Sequence, residues 1–79
     1  MKNTEMELLK RQEVGKRMRN LRGEKSLNDV AQALGVTAMA VSNWERGIRT
    51  PSDYMKVKIA QYYGVTVESI FFPSEVLIS

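Results

Sequence analysis

Residues 31–44 decide the fold of this chain: Ala31-Gln32-Ala33-Leu34-Gly35-Val36-Thr37-Ala38-Met39-Ala40-Val41-Ser42-Asn43-Trp44. Their spacing predicts two short helices that cross at a turn of three or four residues. Ala31 is small where the helices approach each other, and Gly35 adopts the left-handed backbone that ends the first helix at low cost. Thr37 is a favourable N-cap for the second helix. Val41 and Trp44, three residues apart, are predicted to face the core.

The other face of the second helix is predicted to be exposed. It carries short side chains and one cation, a combination that can lie in a DNA major groove: Ala38, Met39, Ser42, Asn43 and Arg46. The same spacing also fits a plain helical hairpin, which occurs in many proteins that never bind DNA. Spacing alone leaves both interpretations open.

Composition limits the possible functions. The chain has 79 residues, of which 43% are hydrophobic, so we expect one domain with one small core. No apolar run approaches the roughly 20 residues that span a bilayer, and no signal-peptide pattern is present. We therefore expect a soluble, cytoplasmic protein. Cysteine and histidine are absent and the carboxylates are scattered, so neither an enzyme, a metal site nor a cofactor is expected.

Charge is distributed unevenly along the chain. Twelve Lys and Arg face nine Asp and Glu, and eight of the twelve precede Ser26, with four acids there. A basic excess suits nucleic acid. It also suits an ordinary solvated helix face, and a net charge of +3 does not decide between them.

Caps, glycines and apolar periodicity predict an all-α chain. Helices are expected at 5–22, 27–34, 38–46, 53–63 and 67–72. The predicted organisation is an N-terminal extension of the first helix (1–13), a domain (14–72) and a short apolar C-terminal tail (73–79). We also expect Ile48 to fold back onto the core.

The sequence leaves the starting positions of the first and second helices undecided. Thr4 and Glu7 form a capping-box pair that favours a start at Glu5, whereas Gly15 inside the helix favours a later start. We favour one continuous helix. The second helix is capped by either Ser26 or Asn28.

Residues 15–72 resemble the Cro/repressor-type helix-turn-helix family, also called XRE-like or lambda-repressor-like. The matching segments, in order, are Gly15–Arg22, Asp29–Ala31, Leu34–Thr37, Val41–Gly47, Pro51–Ser52, Lys58–Ala60, Tyr63–Thr66 and Glu68–Phe71. Two departures stand out. The link before the second helix is about two residues shorter than is usual in the family, and Leu27 stands where many members carry Gln. A polar side-chain contact to DNA is therefore not expected at Leu27, although its backbone N–H can meet a phosphate.

The resemblance implies a compact five-helix domain that lays its third helix in the major groove of double-stranded DNA. Asn43 is then expected to pair with an adenine edge, and Arg46 to reach guanine or a phosphate. Phosphate contacts are expected from residues that flank the third helix: Thr37, Arg49, Thr50, Ser52 and Lys56. The resemblance also implies a structural ion pair between Arg22 and Glu45. Trp44 is expected in the core rather than stacked on bases.

The resemblance further implies a transcriptional regulator, with a repressor of phage or mobile-element type as our first interpretation. The alternative is an antitoxin, or another partner-binding module, that also binds its own promoter. One recognition helix reads few base pairs, so we expect a homodimer on a palindromic site. The expected interface is the apolar C-terminal end: Ile70, Phe71, Phe72, Val76, Leu77 and Ile78. The alternative to this dimer interface is that the tail folds over its own domain.

Overall fold

The computed structural model describes residues 2–72, and this part of the chain contains five helices joined by short loops. They are α1 (Lys2–Arg22), α2 (Leu27–Leu34), α3 (Ala38–Glu45), α4 (Asp53–Tyr63) and α5 (Val67–Phe71). The all-α, five-helix prediction is confirmed, and the bounds of α2 and α4 are the predicted ones. The tail, residues 73–79, lies outside the described residues. None of the helices within 2–72 has both the length and the apolar character to cross a membrane.

Hydroxyl side chains define where four of the helices begin. Ser26, Thr37, Ser52 and Thr66 each accept a hydrogen bond from the backbone N–H three residues further on, at 3.0–3.2 Å. This bond satisfies one of the free donors of a helix start. Ser26 also donates its own N–H to Asp29, which completes a capping box. The cap of α2 is therefore Ser26 and not Asn28.

The core lies where all five helices meet. Its buried side chains are almost all aliphatic or aromatic: Met18, Val30, Ala31, Leu34, Val41, Trp44, Ile59, Ala60, Ile70 and Phe71. Because Val41 and Trp44 lie three residues apart on α3, one face of that helix is committed to the core. The prediction that Trp44 is a core residue is confirmed, since only 9% of its surface is exposed.

Helices α1 and α3 cross at Gly15. A Cβ atom placed on Gly15 would lie 2.2 Å from the carbonyl oxygen of Glu45 and 2.8 Å from that of Trp44. No larger residue fits there without moving one of the helices. Gly15 therefore allows a backbone-to-backbone contact that positions α3 against α1.

Two local predictions are wrong. The first helix begins at Lys2 rather than Glu5, so Thr4 lies inside the helix and is not its cap. The residues that follow Lys2 are mostly strong helix formers, and they carry the helix through both Thr4 and Gly15. Ile48 is 49% exposed and does not return to the core. A Cβ atom placed on Gly47, which has φ +75°, would lie 3.0 Å from Gln12 on α1, so the loop passes close to α1 just before Ile48.

The predicted interface at the C-terminal end is also corrected in part. Ile70 and Phe71 are buried in the core of their own domain, with 1% and 8% of their surfaces exposed. Helix α5 is only five residues long and packs against α1 and α4, and these two are its buried side chains. They cannot also form a surface for a second copy. Phe72 remains exposed, and Val76, Leu77 and Ile78 lie outside the described residues.

Candidate nucleic-acid interface

Helix α3 has one buried and one free face. Positions 39, 42, 43 and 46 follow the i, i+3, i+4, i+7 spacing that places side chains along one side of a helix. Met39 is 65% exposed, and Arg46, the C-cap residue of α3, is exposed as well. Ser42 and Asn43 are half-buried between them. The four residues form a continuous surface opposite Val41 and Trp44.

Ala38 lies at the edge of this surface. It is half-buried and packs partly against the core. Its methyl group is therefore only partly available to a ligand. Thr37, which precedes it, is exposed, and its hydroxyl oxygen accepts the N–H of Ala40 at 3.1 Å. The hydroxyl proton of Thr37 can still be donated outward.

The loop after α3 is tied to the end of that helix. The Asn43 carbonyl accepts the N–H groups of Ile48 (2.9 Å) and Arg49 (3.2 Å). These bonds turn the chain sharply and hold Arg49 close to the C-terminal end of the free face. Arg49 and Thr50 are both exposed. The loop thus brings a cation and a hydroxyl alongside α3.

Helix α4 contributes the remaining two phosphate candidates, and they differ in availability. Ser52 is exposed at the N-terminus of α4, where backbone N–H groups favour an anion. The Lys56 side chain is only 21% exposed, and its ammonium group lies 3.6 Å from an Asp53 carboxylate oxygen. The same ammonium lies over the rings of Phe71 and Phe72, at 5.6 and 5.8 Å. Lys56 is therefore largely engaged within its own domain.

The N-terminus of α2 already carries a carboxylate. Asp29 accepts the Ser26 N–H there at 3.3 Å. Its negative charge opposes an incoming phosphate at the same helix end. A phosphate contact from the Leu27 N–H stays a prediction.

Arg22 and Glu45 join α1 to α3. The Arg22 Nε donates to one Glu45 oxygen at 2.8 Å and Nη2 donates to the other at 3.0 Å, which is a bidentate ion pair. A third donor, Nη1, reaches the Lys25 carbonyl at 2.9 Å. The side chains are 13% and 5% exposed. The hydrogen bond to Glu45 raises the pKa of Arg22, so the guanidinium stays charged.

Tyr63 lies near this pair. Its burial, reinforced by the negative charge of Glu45, raises the pKa of Tyr63 to about 12. The phenol is therefore neutral throughout the physiological range. This arrangement leaves Glu45 with one positive partner and no competing anion from Tyr63.

Sequence reasoning missed two cations that hold the surface in place. Arg11 donates its Nε–H to the Gly47 carbonyl at 3.1 Å, which links α1 to the loop after α3. Lys58 donates from Nζ to the Leu34 carbonyl at 3.0 Å, which caps the end of α2 from α4. Each contact joins residues more than 20 positions apart in the sequence, so no local sequence pattern predicts it. A free carbonyl at the end of α2 was the only available hint.

Comparison with known families identifies the arrangement. A family model described as Helix-turn-helix (HTH_3) matches residues 16–70, which is more than half of the chain. The match begins inside α1 and ends inside α5, so it contains α3, the loop and the whole of α4. No curated protein and no solved structure matches the chain.

Proposed function

The chain belongs to the Cro/repressor-type (XRE) helix-turn-helix family of DNA-binding transcription regulators, and from this premise we propose that it reads a specific operator by laying α3 in the major groove. The observation that carries the proposal is the two-sided character of α3. One side is committed to the core, and the other is a continuous free surface flanked by capped helix ends and by Arg49. An α-helix fits the width of the major groove, where base edges differ most.

The proposed base contacts follow from the chemistry of the free surface. Asn43 has an amide that pairs with the N6 and N7 edge of adenine, and Arg46 can donate two hydrogen bonds to guanine or one to a phosphate. Ser42 can donate or accept. Met39, and Ala38 at the edge of the surface, offer apolar contact to thymine methyl groups.

Phosphate contacts are proposed for residues that flank α3: Thr37, Arg49, Thr50, Ser52 and Lys56. Such contacts fix the position of a protein on the duplex without reading sequence. Arg49 has the best support because it is an exposed cation beside α3, whereas Ser52 is exposed at a helix N-terminus that also carries Asp53. For Lys56, a phosphate contact requires that it leave Asp53.

We propose that the regulator acts as a repressor, of phage or mobile-element type. A protein bound over a promoter excludes polymerase by occupancy alone, and this requires no surface beyond the DNA contacts. Selection of bound DNA from a random library tests the proposal. A single enriched motif with two-fold symmetry is the expected result, and failure to enrich any motif would contradict operator recognition.

Replacing Asn43 by Ala should weaken binding to the selected operator by about 1–3 kcal/mol and relax base preference at one position per half-site. The amide is lost while the α3 backbone, held by the Asn43 carbonyl, is unchanged. Titration of operator and of random DNA measures the effect. Equal weakening on both would show that Asn43 does not read a base.

Arg49→Ala should weaken operator and random DNA alike, because a phosphate contact carries no sequence information. The slope of log K against log salt concentration should become shallower by about one. Lys16→Ala, an exposed cation on α1 outside the proposed contacts, is the matched control and should leave the slope unchanged. If the salt slope of Arg49→Ala is unchanged, Arg49 does not contact a phosphate.

We further propose that two copies bind a palindromic operator, with half-sites about 34 Å apart. The proposed contact is the C-terminal end, that is, the exposed Phe72 together with residues 73–79. Sedimentation of the full chain and of a chain that ends at Phe72, each with and without operator, measures it. A tail-dependent dimer is expected. Identical monomers that bind the palindrome with identical cooperativity would place the interface elsewhere.

A further inference from the structure

The loop that follows α3 is held on one side by the end of that helix. The Gly47 N–H donates to the Trp44 carbonyl at 3.2 Å. The N–H groups of Ile48 and Arg49 both donate to the Asn43 carbonyl, at 2.9 and 3.2 Å. All three bonds use amide hydrogens of the loop. The carbonyl oxygen of a buried loop residue needs a donor from another element.

Arg11 supplies that donor from α1. Gly47 is buried, and its carbonyl oxygen accepts a hydrogen bond from the Arg11 Nε–H at 3.1 Å. Gln12 approaches the same residue, since a Cβ atom placed on Gly47 would lie 3.0 Å from the Gln12 Cα. Gly47 is therefore fixed between the end of α3 on one side and α1 on the other. Arg49, the exposed cation of the loop, follows it by two residues.

One face of α1 makes this contact and the contacts with α3 itself. Arg11, Gly15 and Arg22 are spaced i, i+4 and i+11, which places them on the same side of the helix. Gly15 meets the backbone of Glu45, and Arg22 pairs with the Glu45 side chain. Arg11 extends the face to Gly47. Helix α1 thus supports the end of α3 and its loop over about three turns.

The N-terminal part of this support lies outside the family domain. The helix-turn-helix model matches residues 16–70, so it contains Gly47 and Arg49 but neither Arg11 nor Gln12. Membership of the family therefore accounts for the loop and does not account for the hydrogen bond that holds it from α1.

We propose that Arg11 is a positioning residue for DNA binding, which acts through Gly47 to hold the loop in the geometry that presents Arg49 to a DNA phosphate. The inference rests on the phosphate contact proposed for Arg49. A flexible loop would have to become ordered when DNA binds, and that ordering costs conformational entropy. Because the Arg11 hydrogen bond orders the loop beforehand, it raises the affinity for DNA without touching DNA.

A direct contact between Arg11 and a phosphate is the competing interpretation, because Arg11 and Arg49 line the same cleft between α1 and the loop. Two substitutions separate these interpretations. Arg11→Gln removes the charge but keeps an N–H donor where Nε was, because the two nitrogens follow the same number of side-chain carbons. Arg11→Met removes both the charge and the donor from an unbranched side chain of similar length. The two variants therefore have equal net charge and differ in the donor to Gly47.

Binding of the full chain to a random-sequence duplex and to the selected operator measures the effect. Arg11→Met should bind both about three- to tenfold more weakly than Arg11→Gln. Lys10→Gln is the control, because it removes one charge from the exposed neighbouring residue, and Arg11→Gln should bind as this control does. Equal binding by Arg11→Met and Arg11→Gln would overturn the inference. All variants are compared at a temperature at which their circular dichroism matches that of the unmodified chain.

A double-mutant cycle tests whether Arg11 acts through Arg49. In an Arg49→Ala background, Arg11→Met and Arg11→Gln should bind random DNA equally, since the loop then has no cation left to position. A difference between the two variants that persists in this background would show that Arg11 acts elsewhere, and the inference would fail. A loss of affinity caused only by lower global stability would persist in the same way.

The order of the loop is measured without DNA. NMR relaxation should give order parameters near 0.85, the value typical of rigid backbone, for residues 47–50 of the unmodified chain and of Arg11→Gln. In Arg11→Met they should fall toward about 0.6. Unchanged order parameters in Arg11→Met would overturn the inference, even if that variant bound DNA more weakly.

The unmodified chain distinguishes a failure of this inference from a failure of the proposed function. If it binds no DNA, operator recognition fails and the role of Arg11 fails with it. If it binds DNA and the two Arg11 variants bind equally, only the role of Arg11 fails.

Discussion

Gly15→Ala is expected to destabilise the domain by about 3 kcal/mol, although alanine is the better helix former by about 1 kcal/mol. The added methyl group would lie 2.2 Å from the Glu45 carbonyl oxygen, and the atoms that it meets are backbone atoms of α3. Backbone cannot rotate away as a side chain does, so the helices must separate. For a domain of this size, the loss corresponds to a fall in melting temperature of about 12–24 °C.

Gly64→Ala is the matched control for this change. Gly64 has a left-handed backbone at φ +70°, but nothing lies within 4 Å of its Cβ position. Gly64→Ala should lower the free energy of unfolding only by the backbone strain, about 1–2 kcal/mol. Thermal denaturation of both variants separates a steric clash from a conformational cost. A neutral or stabilising Gly15→Ala would mean that α1 and α3 do not cross this closely.

Glu45→Gln is expected to cost about 3 kcal/mol, near the lower end for breaking a buried ion pair. Gln has nearly the same shape, but it leaves the Arg22 guanidinium without its counter-charge, with the side chain only 13% exposed. Chemical denaturation measures the loss. Glu13→Gln is the control, because Glu13 and Arg17 form an exposed pair at 3.9 Å that should contribute less than about 0.5 kcal/mol.

Replacing both partners tests whether the penalty comes from the unpaired charge. Arg22→Met combined with Glu45→Leu should recover most of the stability lost in Glu45→Gln, because no charge is then left buried. If the double replacement is as unstable as the sum of the single changes, packing of the long side chains, rather than their charge, stabilises this junction.

Local chemistry made most of the helix boundaries predictable. A hydroxyl cap forms its hydrogen bond three residues away, and a glycine that ends a helix acts on the turn it occupies. Both effects are contained within a few residues of sequence. The bounds of α2 and α4 followed from such signals, as did the two faces of α3, since helical periodicity alone divides Val41 and Trp44 from Met39 and Ser42.

Contacts between distant segments were not predictable in the same way. The sequence around Gly15 predicts only a local cost to the helix, because the benefit of this glycine depends on α3, about 30 residues later. The sequence predicts that Ile48 folds back onto the core, but its side chain is 49% exposed in the loop where Gly47 passes close to α1. For the candidate site, the type of each side chain was evident from the sequence. Whether each side chain is free to contact DNA was not evident. Lys56 illustrates this, because it already contacts Asp53 and two phenylalanine rings.

The hydrogen bond from Arg11 to Gly47 divides α1 into two parts that should differ in amide hydrogen exchange. Residues 5–10 are all exposed, Met6, Leu8 and Leu9 included, so their backbone amides can open without disturbing the core. From Val14 onward the helix is packed against α3 and α5, and exchange there requires the domain to unfold. Helix α1 is continuous in shape, yet its opening free energy should rise steeply within a single turn after Arg11.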